Sequence, residues 1–332
     1  MQVQRGQNNI IRIVEPTDIL IFPGRYEKKQ IMDCLSDYKG RVHIDFHYDS
    51  DDILNGFESE IETILLSTSS DFFKKNSGGR LDCLIERFSK HSVNNFLVKE
   101  NRGGSYCYSS KDQKTYESAS YCVKTMHSVG VGDVYDAIFI STLFGDNINK
   151  RMSLSALCAA RYAETMDYVK FKENAQLMLN NIDELASLKS IRLSWESRKE
   201  KNIYLAAPDF PEIDIKLLNK LNDCLRYHNF KTRLPIRENG LVKKAMKFEE
   251  ELTYYQNDVR LLDICDLLIA VLLYNDPGTL VELGMFKQTG KPTIIYDPFN
   301  YCENMFVRHT PNYLCHTISD VIEATYFCLG KE

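Results

Sequence analysis

Residues 266–284 read DLLIAVLLYNDPGTLVELG: an unbroken apolar run, a polar turn on Asp276, Pro277 and Gly278, and the start of a helix carrying Glu282. The run at 266–273 suits a strand buried on both faces, as in a parallel sheet covered by helices on each side. Strand, short turn and helix in that order form the repeating unit of an open α/β sheet, whose ligands gather beyond the carboxyl ends of its strands. Asp276 and Glu282 fall at such an end. The same letters also have a purely structural reading. Thr279 to Glu282 spell T-x-x-E, a capping box in which the glutamate only ties off the helix start, and Asp276 before Pro277 and Gly278 is ordinary turn chemistry.

Outward from this stretch the alternation continues. Strands are expected at 202–208 (NIYLAAP), 230–235 (FKTRLP) and 292–298 (PTIIYDP), with helices near 212–228, 243–262 and 280–289. Toward the N-terminus, strands are expected at 18–24 (DILIFPG), 41–46 (RVHIDF), 94–100 (NNFLVKE) and 104–110 (GSYCYSS). Helices are expected near 25–38 and 54–65, with a long helical region from Val134 to about Ala186. Residues 170–201 read as helix, with a charged end that forms the junction to a fresh α/β unit. A chain of 332 residues exceeds one typical core. The expectation is therefore two α/β domains, 1–195 and 200–332, each a mainly parallel sheet flanked by helices.

Composition narrows the function classes. Hydrophobic residues at 44% and charged residues at 26% describe a soluble globular chain. A formal net charge of −5 gives no electrostatic case for nucleic acid. No apolar run approaches a membrane span, and the start MQVQRGQNNIIR lacks a signal-peptide core, so a cytoplasmic location is expected. The ten cysteines stand singly without a CxxC pair, and those in apolar runs, such as Cys158 and Cys265, read as buried free thiols. The seven histidines show no HExxH spacing, so neither a metal nor another cofactor is expected. His43, Asp45, His47 and Asp49 alternate in VHIDFHYD; they read as a strand edge entering an acidic loop rather than as a ligand set.

The predicted strand ends AAPDF, RENG and YNDPGTLVE set Asp209, Arg237, Asp276 and Glu282 along one rim. An acidic pair there has a chemical use. Glycosidic cleavage needs one carboxylate at the anomeric carbon and a second acid at the leaving group.

Taken together, NIYLAAPDF, NDVRLLDICDLLIAVL, NDPGTLVELGMFKQTGKPTIIY and the NM of YCENMFV resemble the nucleoside 2-deoxyribosyltransferase family, including its nucleotide N-hydrolase relatives, over about 200–330. That resemblance implies a flavodoxin-like or Rossmann-like domain in which Glu282 is the nucleophile at C1′ and forms a glycosyl-enzyme. It makes Asp276 the acid at the departing base, Asp258 an aspartate that holds or protonates that base, and Tyr204 the residue that orients the nucleophile. Asn304 and Met305 match a segment that contacts the sugar 5′ end, often lent by a neighbouring subunit, which implies a homo-oligomer. Gly278, Asp209 and Arg237 complete the expected substrate contacts. A helix start with a capping Thr279 is expected to keep Glu282 ionised. Relatives that cleave nucleoside monophosphates carry a Gly/Ser-rich phosphate loop after the first strand. Here that loop reads AAPDFPEID, whose Asp209 and Glu212 repel phosphate, whereas Arg237 and Arg308 are candidate phosphate partners.

In the N-terminal half, GVGD at 130–133 feeds a helix start, where a glycine turn binds anions. The plain reading is a tight turn with Asp133 as N-cap. RVHIDFHYD, NNFLVKENRGGSYCY, GVGDVYDAIFISTLFG and LCAARYAE, in that order, resemble the C-terminal half of ribokinase-like (PfkB-type) kinases. That resemblance makes Asp133 the catalytic base and Gly130 and Gly132 the anion hole. The sugar-binding half such kinases carry before DILIFPG has no counterpart, Val129 replaces a polar residue, and the nucleotide loop reads KEN at Lys99–Asn101. A truncated, degenerate kinase domain with at most a vestigial site is expected.

The leading expectation is an enzyme that cleaves the N-glycosidic bond of a nucleoside or nucleotide substrate through Glu282, by transfer to another base or by hydrolysis. The alternatives are a nucleotide-binding sensor and a glycohydrolase of NAD or a signalling nucleotide.

Overall fold

The computed structural model describes the chain apart from residues 1–3, 6–10, 13–17, 24–26, 36, 48–53, 55–59, 79, 142–144, 146, 181–188, 243–245 and 332. It divides into two compact units, Met1–Arg192 and Leu193–Glu332.

The first unit opens with a short antiparallel pair, β1 (Gln4–Arg5) and β2 (Ile11–Arg12). Its main sheet comprises β3 (Asp18–Ile21), β4 (Arg41–Asp45), β5 (Ile61–Ser67), β6 (Val93–Lys99), β7 (Ser105–Ser109) and β8 (Lys114–Ser118), in that spatial order. The pairs from β3 to β6 are parallel, and β7 and β8 add an antiparallel edge. Helices α1 (Lys28–Leu35), α2 (Asp71–Asn76) and α3 (Leu81–Phe88) fall between the strands, followed by α4 (Val131–Ile140), α5 (Ile148–Ala163) and α6 (Tyr168–Asn180). One core joins Leu65 and Leu97 of the sheet to Tyr135, Phe139 and Met152 of α4 and α5. A second set, Phe46, Phe72, Phe88 and Phe96, stacks with ring centroids 5.0–5.7 Å apart, the offset or tilted spacing aromatic pairs favour.

Four sequence expectations need correction here. The helix expected near 54–65 falls partly on 55–59, outside the described residues, and from Ile61 it gives way to β5, because IETILLS is a largely buried run inside the sheet whose apolar spacing mimics a helix face. The long helix expected from Val134 breaks at Ser141, which is extended, and restarts where the Asn147 side chain accepts from the Lys150 amide. Finally, β4 lies inside the sheet rather than at its edge: His43 Nε2 meets Asp18 at 3.0 Å, and Asp45 accepts from Lys99 Nζ at 3.3 Å, so neither reads as a ligand. Asp49 lies outside the described residues. Nor is 170–201 one helix: β10 (Ser190–Ile191) pairs with β9 (Ser120–Tyr121), and the four-residue α7 (Trp195–Arg198) opens the second unit.

The second unit is a five-stranded, wholly parallel sheet of β11 (Asn202–Ala206), β12 (Lys231–Arg233), β13 (Leu267–Val271), β14 (Thr293–Tyr296) and β15 (Tyr313–Cys315), in the order β12-β11-β13-β14-β15. Its helices are α8 (Lys216–Tyr227), α9 (Pro235–Asn239), α10 (Phe248–Ile264), α11 (Pro277–Gln288), α12 (Met305–His309) and α13 (Ile318–Leu329). All five residues of β13 are buried, as an interior parallel strand requires. Of these, Leu268 and Ala270 pack with Tyr204, Leu283, Phe286 and Ile295 in one core. The chain passes from β11 to β12 on one side and returns to β13 on the other. The crevice beyond β11 and β13 is thus the topological switch point, where such sheets bind ligands.

Among the described residues no helix is long and apolar enough to cross a membrane. The described cysteines are free thiols, with Cys107, Cys158, Cys265, Cys302 and Cys315 buried.

Candidate active site

At the switch point the helix after β13 is launched by Asp276, not by Thr279. Asp276 is the N-cap of α11 and Pro277 its first helical residue. The Asp276 Oδ2 atom accepts from the Thr279 backbone amide at 2.7 Å and from its hydroxyl at 2.8 Å. Gly278 permits this fold-back, since a Cβ there would lie 3.2 Å from the same oxygen. The T-x-x-E capping-box reading is therefore overturned: the helix begins three residues earlier than that reading needs, and Glu282 sits in the second turn.

From there Glu282 reaches a different partner. The hydroxyl of Tyr204, a fully buried residue of β11, donates to Glu282 Oε1 at 2.7 Å. Burial pushes the Glu282 carboxyl up to about 7; the Tyr204 bond pulls it down, and the negative charges of Asp258 and Asp276 add to the rise. The expectation that a helix start keeps Glu282 ionised is corrected accordingly. The favourable end of the helix dipole is confined to the first turn, and that place belongs to Asp276. Burial beside Glu282 also pushes the Tyr204 phenol up, so it stays a donor.

Asp258, on α10, is raised by burial and restrained by a 2.7 Å hydrogen bond that it accepts from Asn239 Nδ2. Asn239 ends α9, and sequence reasoning missed it: nothing within RENG marks the asparagine, whose role comes from the close approach of α9 to α10. Two residues earlier, Arg237 Nε donates to Asp209 Oδ2 at 2.6 Å, while Nη2 donates to Asp209 Oδ1 at 3.3 Å and to Asn219 Oδ1 at 2.7 Å. Asp209 is thus neutralised by an ion pair, and Arg237 is already engaged. Arg308 turns inward to backbone, donating to Cys302 O at 3.2 Å from both Nε and Nη2.

The structure brings Tyr204, Asp258, Asp276 and Glu282 into one electrostatic cluster. Asn304 instead spends its side chain capping α12, accepting from the Phe306 amide at 2.9 Å. Met305 and Phe306 beside it are 66% and 74% exposed, which leaves this segment on the surface.

The kinase-like glycine turn lies in the other unit. Gly130 is the N-cap of α4 with φ 77°, a left-handed conformation that glycine adopts without strain, and the Tyr162 hydroxyl lies 3.1 Å from where a Cβ would sit. Asp133 is exposed in the first turn and is not the N-cap. A Cβ at Gly132 would lie 3.6 Å from Lys99 Nζ. Lys99, also close to Asp45, donates to buried Asp136 at 2.5 Å. Glu100 forms an ion pair with Arg192, whose Nη1 also donates to Gly103 O at 2.7 Å.

The sequence model of the family described as nucleoside 2-deoxyribosyltransferase matches residues 203–310. A solved 2-deoxyribosyltransferase from Bacillus psychrosaccharolyticus is 26% identical, with a TM-score of 0.33, covering 36% of this chain and 89% of that one. Among curated proteins, 5-dehydro-2-deoxygluconokinase from Listeria innocua serovar 6a is 26% identical over 105 residues, 31% of this chain. The chain spans about a third of that relative's length, 32%. Ribokinase from Arabidopsis thaliana, solved with ribose and ATP, is 14% identical, with a TM-score of 0.40, covering 49% of this chain and 55% of that one. The chain is thus similar to the nucleoside 2-deoxyribosyltransferase family across most of its C-terminal unit and to ribokinase-like sugar kinases in its N-terminal half.

Proposed function

We propose that the C-terminal unit cleaves the N-glycosidic bond of a (deoxy)nucleoside or nucleotide. Ionised Glu282 attacks C1′ from one face; the bond from C1′ to the base nitrogen breaks, and its electron pair leaves with the base. Asp276 and Asp258 manage the proton at that nitrogen, and burial, which raises the Asp258 carboxyl above the ordinary aspartate range, favours its protonated form. The glycosyl-enzyme ester is then opened at C1′ by water, giving hydrolysis, or by a second base, giving transfer, and Glu282 is released. The carboxylate also offsets the oxocarbenium charge of both transition states.

The observation that carries this reading is the 2.7 Å bond from Tyr204 to Glu282 at the switch point, with Asp258 and Asp276 acting on the same carboxyl. A glutamate that served only the helix start would have no need of a buried phenol. Asn304, Met305 and the exposed Phe306 enter the proposal as a surface completed by a second copy of the chain. The test is incubation with nucleosides, deoxynucleosides, their monophosphates and NAD, with and without free adenine, followed by chromatography of released or exchanged base. Turnover that disappears in Glu282→Ala supports the proposal; no turnover on any member of the panel overturns it.

A further inference from the structure

Asn239 ends α9 and is followed by Gly240, and an asparagine before a glycine is chemically labile. With no Cβ on the following residue, that residue's backbone nitrogen can reach the carbonyl carbon of the asparagine side chain. We propose that Asn239–Gly240 is a site of spontaneous deamidation, that the hydrogen bond to Asp258 restrains it, and that the modification disables the crevice. The modification needs no glycosyl activity, whereas its effect on base release rests on the function proposed above.

The reaction balances with water as its only co-reactant. The Gly240 nitrogen gives up its proton and bonds to Asn239 Cγ; the bond from Cγ to Nδ2 breaks, and Nδ2 leaves with its electron pair as ammonia, taking up that proton. Water then opens the cyclic imide at either carbonyl, giving aspartate or isoaspartate. Two hydrogen bonds oppose the first step: Gly240 N donates to Ile236 O at 3.0 Å, and Asn239 Nδ2 donates to Asp258 Oδ1 at 2.7 Å. The first belongs to the last turn of a five-residue helix, too short to be stable by itself, and Gly240 is exposed with φ 97°. The second ends on a carboxylate of α10 and is the stronger restraint. Loss of the amide also changes Asp258. Aspartate at 239 replaces its donor with a second carboxylate, and each then disfavours ionisation of the other. Isoaspartate routes the backbone through the side chain and shifts the end of α9.

The chain carries a second Asn-Gly pair, Asn55–Gly56, outside the described residues, and it serves as an internal reference. The full-length protein is held at mildly alkaline pH and physiological temperature and then digested. Each pair is followed by the mass gain that exchange of NH2 for OH brings and by separation of the isoaspartyl peptide. Deamidation at Asn239 should be faster by about tenfold or more in Asp258→Ala and return toward the native rate in Asp258→Asn, which keeps an acceptor oxygen, with the Asn55 rate unchanged. Denaturing urea should accelerate Asn239 in the native sequence and bring it close to Asn55, a comparison that holds even where Asp258→Ala fails to fold. Equal Asn239 rates with and without Asp258, an equal rate with and without urea, or no modification at Asn239 in any of these samples overturns the proposal. Asn239→Asp, the stable mimic of one product, should lower kcat/KM for base release by about tenfold or more. Native turnover in that variant overturns the disabling effect. Base release that is absent from the native protein as well removes the glycosyl reading and leaves the modification standing.

Discussion

Tyr204→Phe removes one oxygen atom and with it the single hydrogen bond that opposes the rise of the Glu282 pKa. A bond to a charged group contributes about 1.5–3 kcal/mol, and about 1.4 kcal/mol corresponds to one pKa unit. The variant's Glu282 should therefore titrate about one to two units above the native value of about 7. In the proposed reaction only the ionised carboxylate attacks C1′, so base release by the native protein should rise with pH through about 7. The variant's rising limb should be displaced to higher pH, with a loss of about 10- to 50-fold near neutrality that shrinks as the medium becomes alkaline. The assay is kcat/KM for base release across about pH 5 to 10. A native limb near 4.5, the ordinary glutamate value, would refute the burial argument. A loss independent of pH would refute the assignment of the phenol to the charge state of Glu282.

Further outcomes follow from the same geometry. Because the folded-state value of Glu282 lies above its ordinary 4.5, the stability linked to this group is complete below that pH and is lost as pH rises through about 7. Urea titrations at mildly acidic and mildly alkaline pH should show this slope, and Glu282→Gln should flatten it. Asp276→Asn retains an N-cap acceptor and should fold normally while losing turnover, whereas Asp276→Ala should also lose about 1 kcal/mol of stability by denaturant titration. Asn239→Ala removes the hydrogen bond that holds down the rise of the Asp258 carboxyl and should lower kcat/KM by about tenfold, moving the alkaline limb of the profile upward. In the first unit, Lys99→Met strands Asp45 and Asp136 and should cost about 3–5 kcal/mol in urea unfolding, partly recovered by adding Asp136→Leu.

Much of the second unit was legible because its strands are short apolar blocks separated by turn residues. LLIAV is buried throughout and stands where the run at 266–273 placed it. The first unit resisted where two periodicities coincide: IETILLS has apolar residues at helical spacing, and only its neighbours β4 and β6 make it a strand. Likewise the apolar spacing from Val134 runs on toward the next helix, while the break falls at extended Ser141 and the restart depends on Asn147 acting as a cap. Within the site, Glu282 and the three residues around it, Tyr204, Asp258 and Asp276, could be named from sequence, but their bonding could not. T-x-x-E fits a capping box in letters, yet the proline at 277 moves the helix start back to Asp276. The bond from Asn239 to Asp258 spans 19 residues and two helices, so no local pattern reports it.

The N-cap position of Asp276 has a consequence for how this segment tolerates changes in length. Asp276 and Glu282 are joined by rigid helix with no loop between them, so their relative phase is set by backbone geometry. One inserted residue after Asp276 would turn Glu282 by about 100° and advance it by about 1.5 Å, carrying it away from the Tyr204 hydroxyl. The same insertion at Tyr274 or Asn275, ahead of the cap, would shift Asp276 and Glu282 together as one body. Length variation in this region should therefore be absorbed on the strand side of Asp276, with the six-residue interval to Glu282 held constant.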